Sequence, residues 1–589
     1  MAERENAVPA QPDARTILHV LNRLSFGPRL GDVERVRRMG LSAYIDEQLH
    51  PERIPDTAVD ARLAEFTTLT MSSRELAEKY FLPADALKRD QQIRQAKAAA
   101  KTAQGAASTD MTPATPAKSG AQVSPEQRQI QQAQATVMNE LMQARVLRAT
   151  VSDRQLDEVL VDFWFNHFNV FVGKNQVRQY LTEYERDTIR PHVLGSFRDL
   201  LGAVAHSPAM LYYLDNWESS AANAPAALPP QAAQRLANAR LTPAQRQQLT
   251  ARLQQMQKTP AKKAPSGLNE NYGRELMELH TLGVDGGYTQ ADVVNVARAL
   301  TGWTINTPRQ SGSFMFNPRM HDTGAKTILG VDFPAGHGQD EGERVLDLLA
   351  RHPSTAHHIA FELAQRFVAD EPPPALVDRA AKTFLETNGD LREVVRVIIT
   401  SQEFFAADAD RAKVKSPLEF VVSAVRASGA TVMNAEPLVQ ELRLLGMPLY
   451  SCQPPTGYSM TADAWVNTGA LLNRMNFALQ LVGGGGQTTP PRGRGAGASA
   501  AGANGQGRAA LLARPLVAQG RGAAQQLRAP LQLDLHALAP DTTDATRDHV
   551  IQLLFAGHVS DTTRQTLAKA TTPQQLVALA LGSPEFQKR

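Results

Sequence analysis

Cysteine occurs once, at Cys452, in a chain of 589 residues. That excludes an internal disulfide framework and any zinc site built on several cysteines. Aromatic residues are only 6%, and alanine supplies much of the 42% hydrophobic content, so a core is possible but thinly aromatic. No charge of one sign dominates: the formal net charge is +3, which gives no electrostatic case for nucleic acid. No apolar run reaches the roughly 18 residues that a membrane-spanning helix needs. Met1 to Asp13 is polar and lacks the apolar centre of a secretory signal. As written, the chain reads as cytoplasmic; a clipped or misassigned start would make it periplasmic or exported.

What the chain does have is a dense stretch from Asn269 to Trp303, with Glu270, Glu275, Glu278, Asp285, Asp292, His280, Arg274, Arg298 and a double glycine. Tyr272, Leu276 and Leu279 recur at helical spacing from Asn269 to Leu282, so they predict an apolar stripe. Glu270, Arg274 and Glu278 fall four apart on a second face, which also suits an ordinary solvated ion-pair row. Gly283 is the expected stop, and Val284 to Tyr288 turns the chain over Gly286-Gly287. Thr289 with Asp292 opens the second helix as a capping box with Asp in the Glu position. Asp285 to Asp292 imitates part of an EF-hand loop, but Thr281 and Gly283 stand where its first carboxylates belong.

Elsewhere, helices are expected over Thr16–Leu24, Asp32–Arg38, Leu41–Leu49, Pro125–Ala149, Asp153–Val172, Arg344–Arg351, Ala356–Phe367, Pro417–Ala427 and Leu471–Leu481. The Phe163-Trp164-Phe165-Asn166-His167-Phe168-Asn169 run is apolar around most of its helix, so His167 and both asparagines need partners there. Phe197–Pro208, Leu391–Phe404 and Leu576–Phe586 echo one another, each a short apolar helix closed by a serine that caps the next turn. Thr304 to Gly330 reads as loop with a short strand or two, and places His321, Asp322 and Lys326 on one turn. Low-complexity composition marks inserts over 98–124, 219–267 (with a short Gln-rich helix) and 483–527. The fold class is therefore all-α, one discontinuous domain over 14–482 and 528–589.

The Asn269–Trp303 motif resembles the signature of the bacterial family called domain of unknown function 1800. The similarity extends to Trp164-Phe165-Asn166-His167-Phe168, His206-Ser207-Pro208-Ala209-Met210 through Leu214-Asp215-Asn216, His321-Asp322, Leu348 to Pro353, and Lys415-Ser416-Pro417-Leu418-Glu419-Phe420. The resemblance implies a large, mainly helical bacterial protein. Many members look exported, whereas this chain has no export signal. The family name carries no activity; members often accompany sulfatase-like proteins, which associates them with envelope or glycan chemistry.

Three functions stay open. The first is a hydrolase on a glycan or envelope substrate. Glu275 or Glu278 would be its general acid, Asp292 or Asp215 the second carboxylate, and His280, His167 or His321 a base. Arg274, Arg298, Asp215, His167, His321 and Asp322 would line the substrate. The second is a divalent metal site drawn from His167, Glu275, His280, His321 and Asp322, although no H-E-x-x-H spacing exists. The third is a non-catalytic scaffold whose buried charges fix helix packing. The enzyme reading expects the two helices of 269–303 to aim their acids and bases into one solvent-reachable hollow.

Overall fold

The computed structural model describes residues 7–83, 86, 93, 96, 125–174, 176–221, 267–307, 311–483 and 531–589. The inserts expected over 98–124, 219–267 and 483–527 lie outside the described residues except at 219–221, 267 and 483.

The fold is α-helical, and its few short strands form antiparallel pairs among the described residues. β1 (Trp303–Ile305) pairs with β2 (Phe314–Phe316), β3 (Lys326–Ile328) with β4 (Val331–Phe333), and β5 (Thr431–Val432) with β6 (Leu531–Gln532). Periodicity locates the helices because each buries one stripe: in Leu391–Ile399, Leu391, Val394, Val395, Ile398 and Ile399 all face inward. One contiguous apolar cluster runs from Ile17 to Phe586, so residues on both sides of the 483–527 segment share a core. The Pro573–Leu581 helix packs on Thr468–Leu481, and Pro353–Phe367 packs on Pro374–Glu386 and Leu391–Ile399.

Caps follow local chemistry. Ser416 and Glu419 close a reciprocal capping box on Pro417–Ala427. The three echoed serines each accept a backbone N–H from the next turn: Ser207 from Ala209, Ser401 from Phe404 and Ser583 from Phe586. The motif's two helices, Glu270–Glu278 and Gln290–Ala299, meet backbone to backbone at Gly273. A β-carbon there would lie 2.9 Å from the Ala297 nitrogen, so only glycine permits that approach.

Two helices end earlier than periodicity alone predicts. The 155–167 helix stops at His167 rather than Val172, because the Tyr184 hydroxyl takes the Phe168 carbonyl at 2.7 Å and Asn169 turns to loop carbonyls. The motif's first helix stops at Glu278 rather than Leu282. The next turn is tightened instead: the Leu279 and His280 N–H groups both reach the Glu275 carbonyl, and the Thr281 hydroxyl reaches that of Leu276. The second early stop leaves the Leu279 and His280 carbonyls free of the helix, where His358 and His167 meet them.

Candidate histidine–carboxylate centre

The residues expected to share one hollow separate into three groups. On the outer face of the motif, Gln290 bridges Glu270 and Arg274 at 2.8 Å each, and the ion pair between those two spans 3.8 Å. Glu278 accepts from the Tyr288 hydroxyl at 3.1 Å. Glu275 is half-buried; burial, then the neighbouring Glu278 charge, raises its carboxyl above the usual range against the pull of Arg274. Asp292 is occupied by backbone. One oxygen accepts from Thr289 in the capping box and the other from the Leu329 N–H at 2.7 Å. Burial opposes that charge, but these bonds outweigh it and hold the carboxyl low. No hydrogen bond or ion pair among the described residues links Asp292 to Glu275 or His280.

The second group is a closed ion cluster. Arg298 grips Asp322 with two nitrogens, at 2.9 and 3.1 Å. Lys326 lies 2.7 Å from Glu341, and His321 lies 3.4 Å from the same carboxylate. Lys326 also donates to the carbonyls of Asp322 and Gly324. His321 turns its Nδ1 to the Thr301 carbonyl at 2.8 Å. Two cations face two carboxylates, and the His321, Lys326 and Glu341 side chains are at most 1% exposed. Asp215 stands apart, paired with Lys174 at 2.5 Å.

The third group brings together two residues the sequence treats separately, His167 and His280, with two that it passes over. His167 ends the Gln155–His167 helix, edge-on to Trp164 at 5.4 Å. Asn166 and Asn169 fasten its flanks to the 452–458 loop: Asn166 exchanges two bonds with the Tyr458 backbone, and Asn169 donates to the Cys452 and Pro454 carbonyls. His167 presents Nδ1 to a carboxylate oxygen of Glu362 at 2.5 Å and Nε2 to the His280 carbonyl at 3.3 Å. Glu362 and His358 sit four apart on Pro353–Phe367, so both point off one face, and the His358 Nε2 lies 3.7 Å from the other Glu362 oxygen. Nε2 of His358 also lies 3.3 Å from the Leu279 carbonyl.

The early end of the motif's first helix is what supplies both carbonyls. Gly283, at φ +82°, completes that turn, and a β-carbon there would stand 3.2 Å from the His358 Nδ1. The His280 ring packs on Phe168 at 5.1 Å, and its Nδ1 has no hydrogen-bond partner among the described residues. Burial first, then the neighbouring His167 and His358, push its pKa down to about 3, so the ring is neutral. Burial penalises the Glu362 charge, but His167 and His358 more than offset this and hold the carboxyl below its usual range. The His167 side chain is 2% exposed, whereas those of His358 and Glu362 are each 22% exposed, so the centre is sealed behind and open in front.

The two missed residues did leave a signal. His358 and Glu362 form an H-x-x-x-E pair inside a helix expected to be amphipathic, a spacing that puts imidazole and carboxylate on one face.

Fold and centre together define a class: a helical protein carrying a half-open histidine–carboxylate centre assembled from three distant helices or their ends. The chain belongs to the family described as "Protein of unknown function (DUF1800)", whose model matches residues 19–588. No curated protein matches the chain, and no solved structure matches it. No helix among the described residues is long and apolar enough to cross a membrane.

Proposed function

We propose that the chain is a hydrolase acting on a glycan or other cell-envelope substrate, with the His167–Glu362 pair activating water. One observation carries this reading. A single imidazole is flanked by two acceptors, Glu362 and the His280 carbonyl, at an edge that solvent reaches. A neutral imidazole has one N–H and cannot satisfy both. One of the two acceptors is therefore left short unless a second proton or another cation is held at the pair. Hydrolysis uses that shortfall. Water gives up a proton at the centre, its oxygen bonds to the electrophilic atom of the substrate, the bond to the leaving group breaks, and that group takes a proton back. Glu275, biased toward its protonated form by burial, is the nearest in character to a general acid. The envelope substrate class rests on the association of such proteins with sulfatase-like partners.

A second reading, a non-catalytic scaffold, is favoured by the engagement of Asp292, Arg298 and Asp322 in caps and ion pairs. The test is turnover of peptidoglycan fragments and of sulfated and plain glycans by the wild-type chain, Glu362→Gln and His167→Gln. Hydrolysis by wild type that both variants lose, at unchanged melting temperature, supports the enzyme. No turnover, with both variants strongly destabilised, leaves the scaffold.

A further inference from the structure

We infer that His167, His358 and Glu362 form a binding site for one divalent transition metal of the zinc type. The role of that metal in hydrolysis rests on the reading above, with the bound ion rather than a protonated His167 supplying the positive charge that would activate water; its binding does not. The donor atoms of these three side chains all lie within 4.8 Å of one another. Around a tetrahedral zinc with bonds near 2.0–2.2 Å, ligand atoms stand about 3.3–3.5 Å apart. The present spacings, 2.5 Å from His167 to one Glu362 oxygen and 3.7 Å from His358 to the other, lie on either side of that value. Small side-chain rotations suffice to reach it.

Protonation geometry points the same way. In the tautomer that places the His167 N–H on Nε2, toward the His280 carbonyl at 3.3 Å, the Nδ1 lone pair is aimed at the Glu362 oxygen. In that form two lone pairs face each other, and a metal ion bound by both would take the place that a proton otherwise holds. A metal-ligating histidine ordinarily donates its other N–H to a carbonyl or carboxylate, and the turn after the motif's first helix provides that carbonyl. Nor does the protein supply its own cation: among the described residues no lysine or arginine pairs with Glu362, whereas Glu341 has Lys326 and Asp322 has Arg298. Only histidines approach it.

The donor set limits the metal. Two imidazoles and one carboxylate suit zinc, iron(II) and other first-row divalent ions such as cobalt, and not calcium, which takes six to eight oxygens. Three protein ligands leave one position free. The 22% exposure of His358 and Glu362 puts that position on the solvent side, where a bound water would meet substrate. Gly283 belongs to the site as a spacer, since any side chain there presses on the His358 ring.

The test uses the full chain, stripped with a chelator and titrated with zinc and with cobalt. Metal content and calorimetry are read directly, and the absorption of the cobalt form reports coordination. One equivalent per chain is expected, with tetrahedral cobalt absorption and a raised melting temperature. Glu362→Gln and His358→Asn should each weaken binding by at least about 100-fold. Because Glu362→Gln removes a partly buried charge, His358→Asn serves as a second variant, and Asp340→Asn, in the exposed His337–Asp340 pair, as a control that binds like wild type. Substoichiometric metal at every ratio, or equal binding by wild type and both ligand variants, overturns the site. Metal bound without hydrolysis of any substrate keeps the site and removes the proposed activity; hydrolysis by the stripped chain at the rate of the loaded one keeps the activity and overturns the metal's role in it, the site itself being decided by the binding measurements.

Discussion

Two clusters in this protein hold a histidine beside carboxylates, and they are built on opposite plans. Around His321, Lys326 and Arg298 neutralise Glu341 and Asp322, and the innermost side chains are sealed. Around His167, no lysine or arginine pairs with Glu362 among the described residues, and one side is open. A buried charge with its own counter-ion is consistent with packing. A partly open charge whose ion-pair partners among the described residues are histidines alone, as at Glu362, leaves room for a further cation. Residue types alone do not separate these plans; the presence of an internal cation does.

The largest expected effects test that division directly. Glu341→Ala leaves Lys326 buried without its counter-ion, and should cost about 3–5 kcal/mol in denaturant unfolding. Glu362→Gln should change stability by no more than about 1 kcal/mol, while lowering any hydrolytic rate by roughly 10²-fold or more. If Glu362→Gln proved as destabilising as Glu341→Ala, both clusters would be structural and the contrast would collapse.

Much of the fold was legible because helix signals are local. The stripes at spacings of three and four, the Ser416 box, the Thr289–Asp292 box and the three echoed serines depend on neighbours within one turn. The same locality says less about which polar groups stand free. Asp292 looked like chemistry because acids are dense around it, yet its oxygens are taken up within its own cap and by Leu329. The centre draws on residues 167, 279–280, 358 and 362, and nothing in chain order joins them. His358 and Glu362 sit in a helix whose periodicity was plain and whose polar face carried no mark of what it meets. The two early helix ends were hidden too, since they arise from tertiary hydrogen bonds to Phe168 and from the turn that follows Glu278.

The pH response sharpens the comparison next. His280 is held neutral, with its pKa near 3, while an unfolded histidine titrates near 6.5. Between those values the unfolded chain binds the extra proton, so stability rises with pH and is lost as pH falls. The slope from this group approaches 1.4 kcal/mol per pH unit in mid-window. Glu362, held low, acts in the same direction: its contribution is present above the ordinary carboxylate value and disappears on acidification. His280→Phe, which keeps the packing against Phe168, should flatten the stability profile between about pH 4 and 6. An unaltered slope would mean that acid acts elsewhere.

Gly283→Ala comes third. Its positive φ and the nearby His358 ring together should cost about 1 kcal/mol, and weaken metal binding more than stability. The same change at Gly287, which also has positive φ but no atom within 4 Å of an added β-carbon, should carry the backbone cost alone. Equal metal affinity in the two variants would detach Gly283 from the centre.

The smallest effect is expected on the motif's outer face. Arg274, Glu270 and Gln290 form an exposed bridge, and such pairs contribute little because solvent screens them. Arg274→Ala should therefore shift unfolding by no more than about 0.5 kcal/mol and leave metal affinity unchanged. Its effect on turnover is the informative part. Arg274 is the cation that lowers the Glu275 carboxyl, against burial and Glu278. If Glu275 supplies the leaving-group proton, removing Arg274 raises its pKa further and carries the falling limb of the rate profile to higher pH, with zinc content constant. An identical profile would confine the chemistry to the His167 side and leave the acid-rich hairpin as packing and solvated surface.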